Sequence, residues 1–258
     1  MQNYGRSIAK VALHFRTDPL DLSMEQINDF LYAMLKSSTS PSKSYFRHTV
    51  YGLKCLFKMM GKQEKALKMP PIRNNETVPV VLSCEEVKRM LRLTANLKHR
   101  VLIGLLYGSG LRMNEARKVK IADIDTARLQ LRIIQSKGRK DRYVVLSKLL
   151  ARGIKQYLLQ EKPQVYLFNG QTPGEPMGER SIQWIINEAV ERAGIQKPTT
   201  CHTLRHTFAT HLLENGADLF SIKEQLGHAR IETTLVYLHI AQFTPKRVKS
   251  PLDNLYQQ

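Results

Sequence analysis

Eleven residues from Cys201 to His211, CHTLRHTFATH, hold three histidines and one arginine and no carboxylate. Side chains of these types can ligate a metal, serve as ordinary structural or solvated groups, or cradle an anion. Metal ligation fits poorly. His202 and His206 stand four apart, on one face of a helix. However, Thr203 occupies the place where a zinc hydrolase carries its glutamate base, and Arg205 would set a fixed positive charge beside the cation. Leu204, Phe208 and Leu212, at i, i+4 and i+8, read as a core stripe, with His206 and His211 as structural histidines. His202 and Arg205, three apart, lie on a different face. Their donors converge as a phosphate requires, because the guanidinium fork matches phosphate oxygens.

Other stretches bear on the same chemistry. In ADLFSIKEQLGHARIETTLVYLH a short helix runs from an Asp218 N-cap to a Gly227 C-cap, leaving His228 at a helix end and Tyr237 nine positions later. Among Leu235, Val236 and Leu238, that tyrosine alone reads as core or rim. Upstream, YGSGLRMNEARKV presents Arg112 after a Gly-Ser-Gly turn, with Glu115 three residues on. The turn lacks the Walker lysine, the third Rossmann glycine, a preceding strand and the Gly-x-Ser-x-Gly elbow, which sets aside nucleotide binding and serine hydrolysis. The segment SKGRK has the composition of a hairpin turn and offers Lys137, Arg139 and Lys140, cations that in such a turn are ordinarily solvated.

The elements that must position these groups follow from periodicity. Residues 1–68 read as short helices: Ile27, Phe30, Leu31 and Met34 repeat at helical spacing, as do Tyr51, Cys55 and Met59. The second of these helices carries Lys43, Arg47, Lys54 and Lys58, a basic face suited to a DNA backbone as well as to plain solvent. Residues 69–79, with three prolines, read as an interdomain linker. From residue 80 to 258 a larger domain follows. A helix opens there with Ser83 as N-cap and Glu86 at the capping-box position. A mostly apolar helix ends at the glycines near 108–110, and strands in RLQLRIIQ and DRYVVLS flank SKGRK. Helices are expected at 147–160, 178–193, 202–214, 218–226 and 231–240. The expected fold is mainly α with a small antiparallel sheet, an α+β two-domain arrangement.

The chain's 258 residues are 42% hydrophobic, as in a globular protein, and carry 40 Lys plus Arg against 22 Asp plus Glu. The formal net charge of +18 favours polyanionic partners, because phosphate contacts release condensed counterions. Cys55, Cys84 and Cys201 are odd in number and far apart, which suits a reducing compartment rather than a disulfide framework. No apolar run approaches the ~18–20 residues that span a bilayer, and the start lacks a secretory signal pattern. A cytoplasmic, nucleoid-associated prokaryotic protein is the expectation, with no membrane partner.

Taken together, GLRMNE, SKGRKDR, HTLRHTFATHLLENGADLFSIKEQLGH and TTLVYLH resemble, in order, the boxes of the tyrosine recombinase or phage integrase family. The resemblance is strong over 80–245 and loose over the N-terminal helices, which would correspond to the family's core-binding domain. The chain looks like the simpler, Xer-like or integron-like members without an arm-binding domain. The resemblance implies a C-shaped clamp of two domains and double-stranded DNA sites as substrate. It implies Tyr237 as nucleophile, forming a 3′-phosphotyrosyl link. Arg112 and Arg205 would hold the phosphate, with His228 as a further donor. Lys137 would protonate the leaving 5′ oxygen, His202 would accept the phenol proton, and Glu115 would support the site. No metal or other cofactor is implied. A homotetramer on synapsed DNA, with the C-terminal tail on a neighbouring protomer, is also expected. Two other readings compete. A type IB topoisomerase uses nearly the same groups, and a non-enzymatic regulator would use 202–214 and 218–226 as a helix-turn-helix.

Overall fold

The computed structural model describes residues 2–36, 43–72, 78–134, 141–172 and 174–241. Contacts divide the chain into two units, residues 1–76 and 77–258.

In the first unit, α1 (Gln2–Phe15), α2 (Met24–Lys36), α3 (Lys43–Met59) and α4 (Gln63–Lys68) enclose a core of Val11, Leu22, Ile27, Leu31, Val50, Leu53, Phe57, Ala66 and Met69. A reciprocal cap starts α2: the Ser23 amide donates to Gln26 Oε1 and the Gln26 amide to Ser23 Oγ. The expected stripe on α3 is not the buried one. Tyr51 is 40% and Met59 79% exposed and Cys55 is also exposed, whereas Val50, Leu53 and Phe57 are buried. Both sets satisfy a helical period, and packing against α1 and α4 selects between them. Of the basic residues expected here, Arg47 and Lys54 are half-buried and Lys58 is exposed, while the Lys43 side chain lies outside the described residues.

The second unit opens with α5 (Cys84–Leu93), which has the expected capping box between Ser83 and Glu86. Next come α6 (Leu97–Gly108) and α7 (Met113–Arg117), a 3-10 turn at Ile121–Asp123, and the strands β1 (Ile124–Asp125), β2 (Gln130–Ile133) and β3 (Arg142–Val145). The strands form an antiparallel sheet in the order β1-β2-β3, with Leu131 opposite Val144 and Ile133 opposite Arg142. Two-residue β1 was not anticipated, being too short for a period to register. The turn holding Lys137, Arg139 and Lys140 lies outside the described residues.

Four helices follow: α8 (Lys148–Glu161), α9 (Glu179–Arg192), α10 (Cys201–Glu214) and α11 (Leu219–Leu226). Buried Val101, Leu102, Ile103, Leu105 and Leu106 make α6 the centre of the main core. A smaller cluster joins Phe208, Ala209 and Leu213 of α10 to Ile222, Leu226 and Tyr237. The single helix expected over 231–240 is instead α12 (Glu232–Leu235) followed by a 3-10 helix, Val236–His239. Two threonines and a valine lose χ1 freedom in an α-helix, so the segment is poorly disposed to extend one. No described helix is long and apolar enough to cross a membrane.

Candidate active site

The site is built around α10, which is buried on nearly every side. Thr203, Arg205, Thr207, Thr210 and His211 are buried along with its apolar residues. Apolar periodicity predicts a stripe, whereas the helix passes through the middle of the unit and places its polar groups where they must be satisfied internally. Thr200 caps it, accepting from the Thr203 amide.

Arg205 is 3% exposed and donates to two backbone carbonyls, Gly110 O at 2.7 Å and Leu226 O at 2.6 Å. Burial and the neighbouring Arg112 charge lower its pKa to about 10, so it remains cationic at neutral pH. Gly110 has φ +62°, and a Cβ there would fall 2.3 Å from the Phe208 ring. Glycine at that position allows the α6–α7 turn to close onto α10 and offer its carbonyl. Beyond the turn, Arg112 precedes α7. Its amide donates to Glu115 Oε2, its Nη1 to Glu115 Oε1 at 2.8 Å, and its Nη2 to Gly227 O at 3.2 Å.

Glu115 therefore sits among guanidiniums. Burial alone would raise its pKa, but hydrogen bonds and charge from Arg142, then hydrogen bonds from Arg112, hold it down at about 2. Arg205 Nη1 lies 3.8 Å from the same carboxylate. Arg142, from β3, makes the bidentate pair at 3.0 and 2.9 Å and donates through Nε to Gln225 O. The sequence reading missed Arg142, although a signal was available. β3 alternates buried and exposed, and Arg142 shares the inward parity of Val144. Three guanidiniums around one carboxylate leave a net positive cage, preorganised by backbone carbonyls to receive an anion.

Gly227, with φ +63°, ends α11 and accepts from Arg112. It delivers His228 to the cage, where Nδ1 lies 3.0 Å from the Thr234 hydroxyl. Burial, then Arg205 and Arg112, push the His228 pKa down to about 4, so the ring is neutral at pH 7. Its plane stacks 6.5 Å from that of Tyr237 with 12° between them. Tyr237 is 1% exposed. Burial raises its pKa, and the Arg205 and Arg112 charges act against that rise. Its hydroxyl is 3.0 Å from Nδ1 of His206.

Of the expected site residues, the structure brings together Arg112, Glu115, Arg205, His228 and Tyr237. His202 is exposed one turn before His206, with 6.4 Å between the rings. Partial burial and the charges of Arg205 and Arg112 lower its pKa. No hydrogen bond joins His202 to Tyr237 among the described residues; the imidazole in that position is His206. Cys201, beside His202, is buried, and burial pushes its thiol up to about 11. Among the described residues no three His, Cys, Asp or Glu side chains gather as metal ligands would.

A model of the phage integrase family matches residues 81–243. The tyrosine recombinase XerD of Listeria innocua is 33% identical over 252 residues, covering 90% of this chain and 83% of the relative. A crystal structure of XerA recombinase is 27% identical with a TM-score of 0.59, over 92% of this chain and 86% of that one. The fold is also that of XerH site-specific recombinase bound to its palindromic difH substrate in a post-cleavage complex. That match is 24% identical with a TM-score of 0.70, over 86% of this chain and 70% of that one.

Proposed function

Because the chain belongs to the phage integrase family of tyrosine recombinases, we propose that it cuts and rejoins DNA at specific sites through a bond between Tyr237 and a backbone phosphate. The observation that carries this reading is the convergence of Arg112, Arg205, His228 and Tyr237 from four separate elements. Tyr237 Oη attacks phosphorus, the P–O5′ bond breaks, and a 3′-phosphotyrosyl link remains. The phosphate bond energy is conserved in that link, so the reverse attack by a 5′-hydroxyl rejoins the strand without ATP. Arg112 and Arg205 hold the non-bridging oxygens as negative charge grows on the pentavalent phosphorus. With the Thr234 hydroxyl donating to Nδ1, His228 carries its proton on Nε2 and offers it to the phosphate. His202, exposed beside them, adds a donor. Lys137, from the turn outside the described residues, is the acid for the leaving 5′ oxygen. Tyr237 is covered in this state, so DNA must uncover it, and the short α12 and 3-10 turns are the parts able to shift.

Residues 1–68 act in this reading as the core-binding domain, with Lys43, Arg47, Lys54 and Lys58 toward the backbone, and residues 80–258 as the catalytic domain. Arg139 and Lys140 extend the DNA contact beside Lys137. The +18 charge supports binding to double-stranded DNA. The working form is a homotetramer on paired sites, with the tail after residue 241 on a neighbouring protomer.

A duplex of the selected site, nicked so that the leaving fragment escapes, tests the reading. The wild type forms a covalent protein–DNA adduct, and Tyr237→Phe forms none. An adduct that survives in Tyr237→Phe overturns the assignment, a protein that binds without any adduct is a regulator, and cleavage indifferent to sequence marks a relaxing enzyme.

A further inference from the structure

We infer that His206, rather than His202 as expected from the sequence, is the residue that orients the Tyr237 phenol and takes its proton during attack. This inference rests on the recombinase reading above. Three observations support it.

The first is contact. His206 Nδ1 lies 3.0 Å from Tyr237 Oη, and the rings meet at 5.7 Å and 53°, placing the hydroxyl near the imidazole edge. The second is placement. His206 is next to Arg205 on α10, so one long, capped, deeply packed helix sets both the guanidinium for the phosphate and the imidazole for the nucleophile. Tyr237 is carried by four residues of 3-10 helix, which give its ring no comparable constraint. The third is protonation. The groups facing His206 are His202 and Arg205 on its own helix and Tyr237 from the 3-10 segment. Burial, then the His202 and Arg205 charges, lower the His206 pKa. The ring is therefore neutral at pH 7, and with its proton on Nε2 the Nδ1 lone pair accepts from the phenol.

The proton balance is complete. As the Oη–P bond forms, the phenol proton passes to His206 Nδ1 and the P–O5′ bond breaks toward the general acid. In the rejoining step His206 returns the proton to the departing phenol. A phenol with a pKa raised by burial ionises too rarely to attack alone, and a positioned base removes that limit as the bond forms.

The test uses the nicked duplex with sulfur in place of the bridging 5′ oxygen. A thiolate leaves without an acid, so the pH dependence that remains belongs to the nucleophile. In His206→Asn an amide occupies the place of Nδ1 and can hydrogen-bond but cannot take the proton. We expect a wild-type adduct rate that is flat from pH 7 to 9. His206→Asn should bind the site normally, cleave about 10²-fold more slowly at pH 7, and regain roughly tenfold per pH unit as the phenol ionises by itself. His206→Ala should be rescued by added imidazole, a response that a purely structural role would not produce. If His206→Asn keeps the wild-type rate and flat profile, or if His202→Asn alone shows the climb with pH, the inference is overturned. An adduct in Tyr237→Phe would instead overturn the recombinase reading, whatever His206 does.

Discussion

The cation cage and the nucleophile segment meet in one site but are held in different ways. Arg205 is anchored by two backbone carbonyls, Arg112 by a carboxylate and a carbonyl, and Arg142 by both oxygens of Glu115 and the Gln225 carbonyl. Each of these partners is itself fixed by a helix end, a glycine turn or a strand. Tyr237 hangs on a four-residue α turn and a 3-10 turn, and only the hydrogen bond to His206 ties its hydroxyl among the described residues. The difference is chemically sensible. Charge that must meet a developing phosphorane gains from being immobile before the substrate arrives. A nucleophile that must first be uncovered and then driven onto phosphorus has to move. Rigidity is therefore placed where the electrostatics need it, and the shortest elements carry the part that travels.

The largest expected effect breaks the cage. Glu115→Leu leaves Arg142 buried without its carboxylate and should cost about 3–5 kcal/mol in denaturant unfolding of the second unit. The double change Glu115→Leu with Arg142→Met should recover much of that loss, because a buried pair replaced by apolar groups is often nearly neutral. A double variant no better than the single one would show that charge pairing is not what Glu115 contributes.

Acid sharpens the same contrast. His228 has its pKa pushed down to about 4, so between pH 6.5 and 4 the unfolded chain takes up a proton that the folded site refuses, and stability falls with pH. Glu115, held at about 2, adds a second loss between pH 4.5 and 2 as the unfolded carboxyl protonates first. Unfolding monitored against pH should show stability declining in both windows. A flat response from pH 6.5 to 4 would mean that His228 is not buried in its neutral form.

The smallest effect touches the bridge between the two regions. Thr234→Val removes the hydroxyl on His228 Nδ1 and should cost about 1 kcal/mol. Cleavage should fall by a comparable factor, because the imidazole is no longer held with its proton on Nε2. Unchanged adduct formation on the nicked duplex would show that the hydroxyl does not set the tautomer.

Much of this architecture was legible before any coordinates. The helix stops at Ser83, Asp218 and Gly227 follow from local capping chemistry and recur in the structure. The strands on either side of SKGRK follow from alternation. Arg112, Arg205, His228 and Tyr237 are recognisable by their order and surrounding residues. The failures have a common cause. On α3, Tyr51, Cys55 and Met59 satisfy a helical period as well as Val50, Leu53 and Phe57 do, and only the neighbouring helices decide which set is covered. Around Tyr237, an α-helix was the local expectation and a 3-10 turn is the outcome, because the ring packs under α10.

What the sequence by itself determined is the set of reactive groups, the places where helices begin and end, and the excess positive charge, all of which depend on neighbours within a few residues. Only the tertiary structure decided which imidazole meets the phenol, that Arg142 from β3 shares Glu115 with Arg112, and that Arg205 is gripped by carbonyls 95 and 21 residues away along the chain. Those pairings depend on which faces meet once the core has packed, and no short-range rule carries that information.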